Sequence, residues 1–92
     1  MTNTELLEMT KANLQMASSA FDTYLENLID VARASISEYG ITIDDSEVKD
    51  CNLIVMYASY LFSKRRSENS EMPRMLAQAM RNRLFSEKMR GD

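Results

Sequence analysis

The chain has 92 residues, of which 45% are hydrophobic and 27% are charged, and its net charge is -3. This length supports a single domain spanning residues 1–92, which buries somewhat over ~60% of the surface that the unfolded chain exposes. The chain has two glycines and one proline, which is a small supply of turn residues for an all-β fold, and it has no tryptophan. The composition therefore predicts an all-α domain.

The residues needed for common catalytic and metal sites are scarce. Histidine is absent and Cys51 is the single cysteine, which excludes a zinc site built from these ligands. We expect Cys51 to be a small buried hydrophobe. No phosphate-binding glycine loop or nucleophile motif occurs, so we expect no enzyme and no cofactor. The first twenty residues lack a secretory apolar core, so we expect no signal peptide and an intracellular, reducing location.

The first half of the chain predicts two helices. Helix 1 is expected from about Thr4 to Gln15, with Thr4 as its N-cap. Helix 2 is expected to end at Gly40, which adopts a left-handed conformation without steric cost, and Ser18 or Ser19 can cap its start. The apolar positions of helix 1 are Leu6, Leu7, Met9 and Leu14. The stripe of helix 2 comprises Phe21, Leu25, Leu28, Ile29, Ala32, Ile36 and Tyr39.

Helix 3 is predicted from Glu47 to Arg66 and contains a nearly all-apolar run, Leu53–Phe62. A strand at 53–60 is the alternative, but one helical stripe continues through the charged flanks. Its members are Val48, Cys51, Val55, Ala58 and Phe62. The acidic residues before this helix are expected to cap it and to place favourable negative charge at its start, rather than to bind a metal. That group comprises Asp44, Asp45, Glu47 and Asp50.

Helix 4 is predicted from Met72 to Lys88, with Pro73 in its first turn and fraying after Met89. We expect it to bury Met72, Leu76, Ala79, Met80 and Leu84. The fold prediction is therefore a compact bundle of about four helices with one long, nearly all-apolar central helix. Such a helix has no polar face, so either the domain buries it almost completely or a neighbouring subunit covers what the domain leaves exposed. We expect both intrachain and interchain contacts, with Tyr57 and Tyr60 among the covered residues.

Charge is divided unevenly along the chain. Residues 1–60 carry three basic and ten acidic side chains, whereas residues 61–92 carry eight basic and four acidic ones. In helix 4, Arg74, Arg81 and Lys88 recur every seven residues on one face, and Arg83 and Arg90 form a second line. Three interpretations stay open: a solvated face, DNA contact, or contact with the acidic part of an adjacent copy. The last would be a head-to-tail contact that can close a ring, with the methionines of helix 4 adding apolar contact.

Several elements together resemble a known protein family. They are Leu28-Ile29-Asp30-Val31-Ala32-Arg33, the Leu53–Phe62 run, Lys64-Arg65-Arg66, and Met72-Pro73-Arg74-Met75-Leu76. This pattern, from about Leu6 to Lys88, resembles the small head-tail connector, or adaptor, proteins of long-tailed bacteriophages, which are often labelled DNA-packaging proteins.

The resemblance implies a structural protein of the virion, assembled in the host cytoplasm. Its helical subunits, monomeric when free and dilute, would form a ring, typically of twelve copies, below the portal protein. The ring would extend the DNA channel without binding DNA specifically, would dock a stopper or tail-completion protein, and would not engage a membrane. The expected interface residues are Tyr57, Tyr60, Lys64, Arg65, Arg66, Met72, Arg74, Arg81 and Lys88. The alternative function is a small DNA-binding or packaging-regulatory protein that uses helix 4.

Overall fold

The computed structural model describes residues 1–65 and 71–90, and for Arg90 the backbone only. Throughout these residues the regular elements are four α-helices and no strands, as the sequence predicts. They are α1 (Asn3–Asn13), α2 (Asp22–Tyr39), α3 (Val48–Lys64) and α4 (Arg74–Arg90). Helix α3 packs against each of the other three, so it lies at the centre of the bundle.

One hydrophobic core joins the four helices. Leu6, Leu25, Ile29, Ile36 and Ile54 are fully enclosed, and Leu76 of α4 closes the core from the other side of α3. Burial of these apolar side chains is the main favourable contribution to folding. The predicted stripe of α2 is correct except at Tyr39, which is 42% exposed at the last residue of the helix.

The termini of α1 differ from the prediction. Thr2, rather than Thr4, is the N-cap, because its hydroxyl accepts a hydrogen bond from the Glu5 amide while the Glu5 carboxylate accepts one from the Thr2 amide. This reciprocal capping box lowers the pKa of Glu5. The helix ends at Asn13 because Gln15 adopts a left-handed φ of 58°, so that the Met16 amide donates to the carbonyl of Lys11.

The start of α2 lacks the predicted serine cap, and its end is as predicted. Phe21 is the N-cap and makes no side-chain capping bond, whereas the Ser18 hydroxyl accepts from the Ala20 amide in the preceding turn. Gly40 closes the helix with a φ of 112°. A Cβ atom there would lie 3.0 Å from the Leu84 side chain, so both conformation and space favour glycine.

Helix α3 begins one residue after the prediction, with Glu47 as an N-cap that makes no side-chain bond. The predicted stripe is buried at Cys51, Val55, Ala58 and Phe62, but Val48 is 64% exposed. In the same first turn Asp50 is 1% exposed, because a basic side chain of α4 pairs with it. At 17 residues α3 equals α4 and is shorter than α2, at 18, so its length does not distinguish it.

Helix α4 begins at Arg74, later than the predicted Met72, and Pro73 precedes it. The carbonyl of Pro73 accepts the first helical bond, from the Ala77 amide at 3.0 Å, and its ring nitrogen has no hydrogen to donate. Leu76 and Met80 are buried as expected, whereas Met72, Ala79 and Leu84 are only partly buried. The predictions for Arg66 and for the chain after Arg90 lie outside the described residues.

Candidate protein-interaction surface

Helix α4 has an inner face against the core and an outer face toward solvent, and each carries basic side chains. The inner face presents Leu76, Met80 and Arg83, of which Leu76 and Met80 are 1% and 3% exposed. The outer face carries two groups of side chains. We call Arg74, Arg81 and Lys88 the outer basic line, and Met75, Phe85 and Met89 the outer apolar patch; all six are exposed.

Arg83 is a structural residue that joins α4 to α3. Its Nε donates to Asp50 at 2.7 Å and its Nη2 to the second Asp50 oxygen at 3.2 Å, so the pair is bidentate. Its Nη2 also donates to the carbonyl of Thr42 at 2.8 Å. The Asp50 carboxylate in turn accepts from the Asp44 amide at 2.9 Å. Hydrogen bonding to Asp50 raises the pKa of Arg83, so its charge is used within the chain.

Glu87 extends this arrangement by one helical turn. Its carboxylate accepts from the Thr42 amide at 3.3 Å and from Nη1 of Arg83 at 3.0 Å. These bonds stabilise the charged form, and the Thr42 amide is the larger cause of the lowered pKa of Glu87. Together, Arg83 and Glu87 anchor α4 to the loop that precedes α3.

The outer basic line differs from Arg83 in having no acidic partner among the described residues. Within the part of the chain that the structure describes, no carboxylate forms a salt bridge with Arg74, Arg81 or Lys88. Arg81 donates to the side chain of Gln78 at 3.0 Å, which leaves its charge uncompensated. Successive members are about 10.5 Å apart along the helix axis. The line is therefore available to a negatively charged partner.

Sequence analysis named the methionines of helix 4 as apolar contacts but missed Phe85 and the alignment of the outer apolar patch. Met75, Phe85 and Met89 are 77%, 67% and 74% exposed, although each is a large hydrophobic side chain. Together with Gln78 and Asn82 they recur at alternating intervals of three and four residues. That spacing places all five on one side of a helix and is the signal that could have revealed the patch. Three exposed apolar residues along one face are typical of a protein contact.

The other predicted interface residues lie on α3 and just before α4. Tyr57 and Tyr60 are half-buried on α3, with their rings 6.0 Å apart, edge to face. The Lys64 ammonium lies 5.8 Å from the centre of the Tyr60 ring. Met72 is half-buried before α4. Tyr60 lines an open cleft that is also lined by Met75 of the outer apolar patch, so this group borders the outer face of α4 near the start of that helix.

Arg65 is held by aromatic rings of its own chain. Its guanidinium carbon is 4.8 Å from the ring centres of Phe21 and Phe62 and 5.5 Å from that of Tyr24. The two phenylalanine rings meet edge to face at 5.5 Å. Cation–π attraction in such a cluster stabilises the junction of α2 and α3.

The acidic group before α3 is occupied by internal contacts. Asp45 accepts from Arg33 at 2.7 Å, the Asp44 side chain accepts from the Ser46 amide, and Asp50 holds Arg83. Cys51 is 1% exposed, and its thiol donates to the carbonyl of Asp45 at 3.3 Å. Among the described residues, no group of three or more His, Cys, Asp or Glu side chains could hold a metal ion.

An open cleft of about 340 Å³ lies between α3 and α4, lined in part by Leu53, Met56, Ala79 and Asn82. Its charged residues are Lys49 and Arg83, and Arg83 is committed to Asp50. This lining offers no pair of carboxylates and no nucleophile beside a base, so the cleft has no recognisable catalytic arrangement.

None of the helices in the described ranges combines the length and the apolar character needed to cross a membrane. The chain matches no protein-family model, no curated protein and no solved structure. The geometry therefore defines the candidate site at the level of a surface: an exposed helix face that combines apolar and cationic side chains.

Proposed function

We propose that this chain is a structural adaptor that works by self-assembly through exposed helix faces. The observation that supports this most directly is the outer face of α4, where three large apolar side chains lie beside three cations that form no salt bridge with a carboxylate of the described residues. Apolar and charged groups combined in one exposed strip suit contact with another protein, since burial supplies affinity and charge supplies orientation.

We place this adaptor at the head-tail junction of a long-tailed bacteriophage, on the basis of the resemblance described above. In this proposal the subunits form a ring, of twelve copies as is typical of the family that the chain resembles, below the portal protein and above a stopper or tail-completion protein. DNA passes through the ring without specific binding. An acidic chain, with a pI of about 4.9, suits a channel that must not retain passing DNA.

The proposal includes a second contact area on α3, in the Leu53–Phe62 run. Leu53, Ile54 and Val55 are buried by the chain itself, whereas Tyr57 and Tyr60 are only partly covered. In the assembled ring a neighbouring subunit would complete the cover around this nearly all-apolar segment. A charge placed there, as in Tyr57→Asp, is expected to cause misfolding or to prevent assembly, because a desolvated unpaired charge costs several kcal/mol.

The second candidate function is a DNA-binding or packaging-regulatory protein. The observation that favours it is the unpaired outer basic line, since phosphate contact requires only positioned cations. Against it stand the net charge of -3 and the aromatic content of α4, which is limited to Phe85. A nucleic-acid-binding surface usually belongs to a chain that is basic overall.

Sedimentation velocity and negative-stain electron microscopy of the purified chain test the adaptor proposal. We expect monomers in dilute solution and closed rings on concentration, together with negligible binding to duplex DNA at physiological salt. The variant Arg74→Glu/Arg81→Glu should retain the circular-dichroism spectrum of the parent and fail to assemble.

Two results would contradict the adaptor proposal. One is a parent chain that stays monomeric at every concentration. The other is tight duplex binding that falls about 10³-fold between ~50 and ~200 mM salt, as expected of about six phosphate contacts, combined with unchanged assembly of the double variant. That combination would favour the packaging-regulatory function.

A further inference from the structure

The outer face of α4 is exposed, and the same chain carries a surface of complementary charge. We propose that the outer face of α4 binds the outer face of α2 in a second copy of this chain. The inference rests on the proposed self-assembly and assigns the two surfaces that make the contact.

The outer face of α2 combines apolar and acidic side chains. Tyr24 and Val31 are 38% and 42% exposed and are seven residues apart, so they lie on one side of the helix. Exposed Glu38 continues that line by a further seven residues. Exposed Glu26 and Asp30 form a second, acidic line about a third of a turn around the helix from the first, so the two lines border the outward side of α2. Thus α2 presents two apolar side chains and three acidic ones.

These acidic residues are available to a partner. Among the described residues no salt bridge involves Glu26, Asp30 or Glu38, while Asp22 is paired with Lys11 at 2.8 Å. Asp30 accepts one long hydrogen bond, of 3.4 Å, from the Asn3 amide group. Counted over the described residues, the outer basic line of α4 has three cations without a salt bridge, and α2 has three such carboxylates.

Charge also argues against like-with-like pairing. Two copies of α4 meeting through their outer faces would bring Arg74, Arg81 and Lys88 of one subunit close to the same cations of the other. Two copies of α2 would bring their acidic lines together. Like charges across an interface are costly, so the mixed pair is the favoured arrangement.

The dimensions of the two helices agree with this pairing. Helix α2 has 18 residues and α4 has 17, which correspond to about 27 and 25 Å. Both pack on α3 with their inner faces, so one subunit presents both outer faces at once. A contact between unlike faces leaves one free face at each end of a pair. Such a heterologous contact repeats and can close a ring.

A charge exchange at the middle of each helix tests the pairing whichever way the helices run. Arg81 lies near the midpoint of α4 and Asp30 near the midpoint of α2. We expect Arg81→Glu and Asp30→Arg each to weaken self-association about tenfold in sedimentation velocity, a change of about 1.4 kcal/mol. An equimolar mixture of the two variants should recover assembly, because each supplies the face that the other needs. Phe85→Ser should weaken association as well.

Matched control variants separate this surface from general effects of charge or polarity. Lys49→Glu and Glu8→Arg reverse exposed charges on α3 and α1, and Val48→Ser removes a residue that is 64% exposed. We expect association of these three to stay close to that of the parent, and circular dichroism should show all variants folded.

The possible failures have different meanings. Unchanged association of both Arg81→Glu and Phe85→Ser, with the parent still assembling, would overturn the α4 surface and leave the adaptor proposal in place. Weakened single variants whose mixture does not recover would overturn α2 as the partner. A parent chain that never associates would overturn both this inference and the proposed function.

Discussion

The inner and outer faces of α4 carry the same residue types in opposite roles. On the inner face Arg83 is bound by Asp50, Glu87 and the Thr42 carbonyl, whereas Arg81 on the outer face forms no salt bridge with a carboxylate of the described chain. Leu76 is 1% exposed, while the adjacent Met75 is 77% exposed. A basic or apolar residue of α4 can therefore be assigned to function only after the residues that stabilise the fold have been identified.

Removing the Arg83 side-chain charge is the substitution with the largest expected effect. Arg83→Met leaves Asp50, whose side chain is 1% exposed, without its cation. We expect a loss of about 3–5 kcal/mol in the free energy of unfolding, measured by urea denaturation. Arg81→Met on the outer face is the control and should stay within about 0.5 kcal/mol.

The double variant Arg83→Met/Asp50→Leu sharpens this result. It removes both charges, so it should recover part of the stability that the single variant loses; recovery is partial because Asp50→Leu also removes the acceptor of the Asp44 amide bond. A single variant that costs less than about 1 kcal/mol would show that Arg83 is not a structural anchor, and the division of α4 into two faces would then be wrong.

The second prediction compares adjacent apolar residues. Leu76→Ala should lower the free energy of unfolding by about 2–5 kcal/mol, because it removes buried methyl groups and leaves a cavity. Met75→Ala should change it by no more than about 0.5 kcal/mol, since its side chain is 77% exposed. Thermal and urea denaturation of dilute protein measure both. Equal losses in the two variants would contradict the orientation of α4 on the core.

The inward positions of α4 could be predicted from sequence because their period is helical. Leu76 and Met80 are four residues apart, and that spacing alone indicates which side faces the core. Arg83 follows Met80 by three residues and therefore lies on the same side. A basic residue at a core position predicts a buried acidic partner, and this signal was available before the structure was known.

Sequence reasoning could not identify Asp50 as that partner. The acidic group before α3 has four members, and each could cap a helix or pair with a cation. The choice depends on how α4 crosses α3 and on where the loop carrying Thr42 lies, which are properties of long-range packing.

The N-cap of α1 was missed for a local reason. Thr2 and Thr4 are the same residue type, and the signal that distinguishes them is that only Thr2 has a glutamate, Glu5, three residues later.

The third prediction concerns Glu87, whose pKa is held below its ordinary value of 4.5 chiefly by the Thr42 amide and then by Arg83. A carboxyl group with a lowered pKa in the folded chain stabilises the fold fully above its unfolded pKa, and this contribution is lost as the pH falls through the folded value. The parent should therefore be more stable than Glu87→Gln at neutral pH, and the difference in stability should shrink as the pH falls below the ordinary range of a glutamate.

Urea denaturation of dilute protein across this pH range measures the difference, with Glu26→Gln, on the outer face of α2, as the control. We expect the control to show a smaller difference from the parent at neutral pH, because no cation of the described chain forms a salt bridge with Glu26. A stability difference for Glu87→Gln that is constant with pH, or that grows in acid, would show that the Glu87 carboxylate does not help to hold α4 on the core.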